Sequence, residues 1–167
     1  MSRLPQRPGQ VLSYGLRPAV TADRARIGEM WHASASLPGV GPKIMPSRAE
    51  LRRRVDDEMA SGWQVSVAAD AGGLLGFVAT RPAQKMLAEL FVCPAHLGRG
   101  IGKALLHHAM AEMPGGFTLF TTSANAGARR FYEREGLVAL REAPHPRAGH
   151  PVTYYGWQGR TAAGTTA

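Results

Sequence analysis

The stretch M-L-A-E-L-F-V-C-P-A-H-L-G-R-G-I-G-K-A-L-L, Met86 to Leu106, decides how this chain is read. Leu87 to Val92 is a largely apolar run of strand length, and Pro94 ends it. Gly98, Gly100 and Gly102 follow at alternate positions, and Lys103-Ala104-Leu105-Leu106 then open an apolar helix. A strand, a glycine turn and a helix N-terminus make a recurrent seat for phosphate. Glycine lets the backbone turn sharply and approach an anion closely. The first helical N–H groups lack intrahelical partners and can point at phosphate oxygens.

Working outward, 167 residues suit one domain with its own core, and 44% hydrophobic against 19% charged residues indicates a globular chain. No apolar run approaches the roughly 18–20 residues that span a bilayer. Met1 to Gln10 lacks the apolar segment and cleavage site of a secretory signal, and Cys93 is the single cysteine, so a cytoplasmic protein without disulfides is expected. The net charge is +8. That suits an anionic ligand, but the arginines are scattered. The densest run, Arg52-Arg53-Arg54, is followed at once by Asp56-Asp57-Glu58. This mixture predicts a solvated helix face and no nucleic-acid partner.

Residues 1–12 and 159–167 read as loose tails around a single domain over 13–158. Within it, Ser13 to Val20 predicts a strand, and Thr21 caps a helix with Ile27, Met30, Trp31 and Ser34 on one face. After the Gly- and Pro-rich loop from Gly39 to Pro46, Ser47 and Glu50 have capping-box spacing ahead of a helix striped by Leu51, Val55 and Met59. Trp63–Ala69 and Leu74–Thr80 predict a hairpin with a loop of about four residues. The opening stretch supplies a strand and a helix from Gly100 to about Met113. Strands at Phe117–Thr122, Leu137–Glu142 and Val152–Gln158 follow, with a helix from Ala124 to Glu135 after the first. The order β-α-α-β-β-β-α-β-α-β-β describes an α/β (α+β) fold, a mixed sheet of six to seven strands with helices on both faces.

The glycine register separates three phosphate-binding turns. A Walker-type loop needs G-x-x-x-x-G-K-[ST], but Leu97 stands five positions before Gly102 and Ala104 follows Lys103. A dinucleotide fingerprint needs G-x-G-x-x-G, and counting from Gly98 or Gly100 brings Lys103 or Leu105 to the last place. The remaining option fits. Leu90, Val92, Pro94, Gly100 and Gly102 resemble the acetyl-CoA-binding signature of the GNAT N-acetyltransferases, L-x-V-x-P followed by Q/R-x-x-G-x-G/A. Leu97 departs from the usual Gln or Arg. Asn125 to Leu137, N-A-G-A-R-R-F-Y-E-R-E-G-L, is similar to the family's N-x-x-A-x-x-F-Y-E-x-x-G-F.

The resemblance implies acetyl-CoA as co-substrate, seated between the strands at Leu87–Val92 and Phe117–Thr122. Leu90, Phe91 and Val92 would line the pantetheine arm. The turn from Leu97 and Gly98 through Arg99, Gly100, Ile101, Gly102 and Lys103 would hold the pyrophosphate, and Asn125 and Ala128 would border the cofactor. Tyr132 would be the general acid for the leaving thiolate. Glu89 is the candidate general base, although strand alternation turns it away from the face of Leu90 unless a bulge re-aims it. His32, His145 and His150 are alternatives, since histidine titrates near neutrality. His107 and His108 are adjacent on a helix and diverge by about 100°, so no metal site is expected.

The expected activity is transfer of acetyl to a primary amine of a small molecule, amino acid or peptide. A non-catalytic CoA-binding sensor or partner-binding module is the competing reading. The resemblance also implies an acceptor site formed by the Leu37–Pro46 loop, the second helix and the loop Ala143–Pro151, and the basic bias there (Lys43, Arg48, Arg141, Arg147) leans toward a substrate with a carboxylate. The sequence also allows a homodimer through the late strands.

Overall fold

The computed structural model describes residues 13–160. The tail expected at 1–12 lies outside them, as does the tail at 159–167 apart from Gly159 and Arg160. The elements run β1 (Gly15–Pro18), α1 (Arg24–Ala35), α2 (Arg48–Ala60), β2 (Gln64–Asp70), β3 (Gly73–Arg81), β4 (Met86–Val92), α3 (Ile101–Glu112), β5 (Phe117–Thr122), α4 (Ala126–Arg134), β6 (Val138–Pro144) and β7 (Pro151–Trp157). The sheet order is β1-β2-β3-β4-β5-β7-β6, and only the β4–β5 pair is parallel.

The helices cover both faces. On one, the seam of α3, Ile101, Leu105, Leu106 and Ala109, is fully buried with Val78, Leu119 and Tyr155. Each such aliphatic side chain contributes roughly 1.5–3 kcal/mol on leaving water. On the other, Ile27, Met30 and Trp31 of α1 pack with Leu51 and Val55 of α2 over Val67 and Phe77. A Cβ at Gly76 would lie 2.9 Å from the Phe91 carbonyl and 3.0 Å from Leu105, so glycine there lets α3 sit down on the sheet.

The expected capping box forms: Ser47 N–H donates to Glu50 at 2.6 Å and Glu50 N–H to Ser47 Oγ at 3.1 Å. Three local expectations are corrected. Thr21 is not the N-cap: Val20 caps a short 3-10 turn over Thr21–Asp23, where the Asp23 carboxylate accepts from Val20 N–H at 2.8 Å and from Arg17 at 2.7 Å. This ion pair holds the Asp23 carboxyl below its ordinary pKa. The hairpin loop is two residues, Ala71-Gly72, because Asp70 pairs directly with Gly73. Asn125 caps α4, so that helix starts at Ala126 rather than Ala124.

Two irregularities of β4 shape the site. Its ladder with β5 is confined to Met86 opposite Thr118, with Thr118 N–H donating to Lys85 O at 3.0 Å. Beyond that the two strands diverge. On its other edge, Ala79 pairs with Glu89 but Thr80 pairs with Leu87, leaving Ala88 as an extra residue. This is a β-bulge, which interrupts side-chain alternation. Leu87 and Leu90, three apart, consequently both pack toward the α3 side, while Ala88 and Phe91 pack toward α1 and α2.

Candidate active site

The divergence of β4 and β5 opens a cleft of about 1440 Å³. It continues from the glycine turn at one end to the Leu37–Pro46 loop and the β6–β7 loop at the other. Of the sequence-predicted residues, Glu89, Leu90, Phe91, Val92, Leu97, Gly98, Gly100, Ile101, Gly102, Lys103, Asn125, Ala128 and Tyr132 all border it. Arg99 is outside this lining, with Nη1 3.3 Å from His96 Nδ1. Lys103 is exposed and its Nζ lies 3.9 Å from Glu135, so its charge is shared with that carboxylate.

The glycine turn is built on backbone geometry. Gly98 and Gly100 have φ of +75° and +80°, a region in which an L side chain is strained. A Cβ at either would meet open space, so conformation rather than crowding calls for glycine. Gly100 is the N-cap of α3, and its carbonyl accepts the first helical bond from Ala104 at 3.0 Å. At Gly102 the need is weaker, since a Cβ would make only ordinary contacts with Val92 and Phe131. Leu97, off the family pattern, is 56% exposed beside this turn.

The edge of β4 also offers donors. Cys93 N–H donates to Leu75 O at 2.8 Å, toward β3. Alternation then turns the N–H groups of Leu90 and Val92 away from β3, toward the side from which β5 has withdrawn. The Val92 carbonyl accepts from Ser34 Oγ of α1 at 3.1 Å.

Tyr132 is buried against Phe131 and Tyr155, with ring centroids 5.2 and 5.9 Å away. Its hydroxyl makes no hydrogen bond among the described residues, and Tyr132 borders the cleft. Burial, with the charge of Glu89 nearby, raises its pKa, so the phenol holds its proton across the physiological range. A clasp fixes α4 on β7: Tyr155 hydroxyl donates to Glu133 at 3.0 Å and accepts from Arg129 Nε at 3.2 Å.

Glu89 pairs with Ala79 and so keeps to the face opposite Leu90, the face of Ala88 and Phe91; it borders the cleft there, and its carboxyl makes no hydrogen bond among the described residues. Desolvation pushes its pKa up to about 8, against the pull of Arg147 and Arg54. His32 does not line the cleft, which removes it from the candidate bases. His145 and His150 do line it, stacked with centroids 4.8 Å apart. His145 Nδ1 accepts from the N–H groups of Arg147 and Ala148, each at 3.1 Å. Its lone pair is thereby occupied and the remaining ring proton sits on Nε2, a poor arrangement for a base. Burial, His150 and neighbouring arginines lower its pKa further. His150 is held through Nε2 by Thr122 Oγ1 at 3.2 Å, and that hydroxyl donates to Val40 O at 2.7 Å.

Only the resemblance brings α2 to the acceptor site; its own residue pattern does not. Its charge pattern puts Arg54 and Glu58 on a solvated face, yet both line the cleft. Glu58 pairs with Arg81 of β3 and, at 2.9 Å, with Arg147 of the β6–β7 loop. The four-residue spacing of Leu51 and Val55 marks the buried stripe; Arg54 and Glu58 are themselves four apart and flank it.

Residues 61–137 match the family model described as an acetyltransferase (GNAT) domain. That stretch, which holds the whole of β4, the glycine turn and α4, is similar to a GNAT acetyltransferase domain. GNAT enzymes are acyltransferases, and the splayed β4–β5 cleft holds both of the motifs that resemble theirs. Solved structures of the same fold cover nearly the whole chain. One, the GNAT superfamily phosphinothricin acetyltransferase from Sinorhizobium meliloti in complex with acetyl-CoA, is 22% identical over 93% of this chain and 92% of its own, with a TM-score of 0.68. Another, yncA from Salmonella typhimurium with its cofactor acetyl-CoA, is 20% identical over 93% and 99%, with a TM-score of 0.68. A third, the ribosomal-protein-S18-alanine N-acetyltransferase from Escherichia coli, is 16% identical over 92% and 98%, with a TM-score of 0.70. No curated protein matches the chain. Among the described residues no cluster of three or more His, Cys, Asp or Glu is placed to hold a metal, and no helix is long and apolar enough to cross a membrane.

Proposed function

We propose that this chain is a GNAT enzyme that transfers acetyl from acetyl-CoA to a primary amine by direct attack in a ternary complex, with Tyr132 as general acid and Glu89 as general base. The observation that carries the reading is the meeting, in one cleft, of a glycine turn at a helix N-terminus, an open strand edge, a protonated phenol and a carboxyl with pKa about 8.

The pyrophosphate sits on the amides from Gly98 to Lys103, where the dipole of α3 adds its positive end. The pantetheine arm lies along the free edge of β4 as a further strand. The N–H of Leu90 faces the thioester carbonyl and stabilises the oxyanion. The acceptor ammonium first releases one proton to solvent, and Glu89, once ionised, takes the second as the neutral amine attacks. The amine nitrogen bonds to the carbonyl carbon, the C–S bond breaks, and the departing sulfur takes the Tyr132 proton. The products are the N-acetyl amine and CoA thiol, and solvent returns Tyr132 and Glu89 to their starting states. A base with pKa near 8 is matched to this work, being ionisable near neutral pH and still basic enough to accept a proton from an ammonium group.

The test is thiol release from acetyl-CoA over a panel of primary amines. Amine-dependent release is expected. Tight acetyl-CoA binding with no release over the panel would replace the enzyme reading with that of a CoA-binding sensor.

A further inference from the structure

The acceptor end of the cleft carries an unbalanced charge. Arg81 and Arg147 both pair with Glu58, so three guanidinium groups with Arg54 stand against the two carboxyls of Glu58 and Glu89. Arg54 differs from the others: half-buried on α2 and bordering the cleft, it makes no hydrogen bond or ion pair among the described residues. Its charge is felt at Glu89 and His145 inside the cleft and at Glu50 one turn back along the helix. Glu50 is already occupied with Ser47 N–H at 2.6 Å. The Arg54 guanidinium is thus free to take a ligand's anion at the cleft, and its planar fork suits a carboxylate in two-point contact.

Apolar side chains line the same cleft. Trp31 and Trp63, with ring centroids 5.5 Å apart, floor this end of the cleft beside Phe91. Met45 and Ile44 come over it from the Leu37–Pro46 loop, and Ile44 is 89% exposed. A large aliphatic side chain left in water at the mouth of a cleft is suited to cover an apolar ligand group.

We propose that the acetyl acceptor is a free α-amino acid with an apolar side chain, its carboxylate anchored by Arg54 and its side chain held by Trp31, Trp63 and Ile44. This rests on the acetyl-transfer reading above. It places the amine, carboxylate and side chain of one small molecule against Glu89, Arg54 and the tryptophan floor. A peptide N-terminus lacks the carboxylate, and a polyamine adds positive charge to a site that already has an excess.

The experiment compares leucine and leucinamide as acceptors for thiol release with the wild-type chain, Arg54→Gln and Arg54→Lys. Leucine is expected to exceed leucinamide by tenfold or more in kcat/KM, because a site built around a charged contact discriminates against the analogue lacking it. In Arg54→Gln that ratio should collapse toward one, and Arg54→Lys should recover part of it. Leucinamide equal to leucine in the wild type, or a ratio unmoved by Arg54→Gln, overturns the anchor. If no amine releases thiol, the acetyl-transfer reading fails, and the anchor is then read by binding. Leucine but not leucinamide should raise the melting temperature of the CoA-bound wild type and not that of Arg54→Gln. Absence of this difference overturns the anchor.

Discussion

Replacing Glu89 by glutamine should make the protein more stable, and increasingly so as the pH rises. The carboxyl has an ordinary value of 4.5 and stands at about 8 in the fold. Between those values the folded chain holds a proton that the unfolded chain has released, so stability falls with rising pH at about 1.4 kcal/mol per pH unit. The loss begins near pH 4.5 and levels off above pH 8. The amide of Glu89→Gln does not titrate. Relative to the wild type, the variant should gain about 2 kcal/mol at about pH 6 and nearly 5 kcal/mol at about pH 9. The absolute gain also contains any difference in how the amide is accommodated, but the change between the two pH values does not. That change, roughly 2–3 kcal/mol, is the quantity to measure, by urea unfolding of both proteins at about pH 6 and about pH 9. A change below about 0.5 kcal/mol would mean that Glu89 is an ordinary solvated carboxylate, and would refute the desolvation argument on which its role as a tuned base depends. The same variant should lose the limb near pH 8 from the kcat/KM profile. A variant more stable but less active would mark the burial of Glu89 as a cost the fold carries for chemistry.

Other substitutions test separate parts of the site. Tyr132→Phe should lower kcat tenfold or more while acetyl-CoA affinity stays nearly unchanged in a binding titration; full turnover would remove Tyr132 from the mechanism. Gly100→Ala places a Cβ on a residue at φ +80°, which should cost about 1 kcal/mol in thermal unfolding and weaken acetyl-CoA binding, although the Cβ meets no neighbour. An unaltered melting temperature and affinity would show that the turn tolerates a different conformation. Ser47→Ala removes one half of the capping box of α2 and should destabilise by about 1 kcal/mol in urea unfolding, with no change expected if α2 holds its first turn by packing alone.

The two ends of the cleft differ in how far they could be read before folding, and the difference is physical. The seat for the glycine turn is written locally. Gly98 and Gly100 are called for by positive φ within a few residues of the helix they introduce, and Asn125, three residues before Ala128, caps the helix that carries Tyr132. Such features depend on neighbours in sequence, so motif and spacing expose them. Glu89 marks the boundary. Alternation sets it on the face opposite Leu90, and only the folded chain shows that the cleft reaches that face too, where the charges of Arg54, Glu58 and Arg147 bear on it. The acceptor end is written entirely in such long-range terms. Glu58 meets Arg147 across 89 positions of sequence, and Thr122 meets Val40 across 82. A run like Arg52 to Glu58 looks like a solvated face because charge pattern says nothing about what lies opposite a helix. Folding brings a bulged strand and a returning loop there, and two of its charges become cleft walls. The local part is the part that any acyl-CoA would need. The part assembled at long range is free to vary with the acceptor, which is why the substrate argument turns on Arg54, a residue no local motif distinguishes.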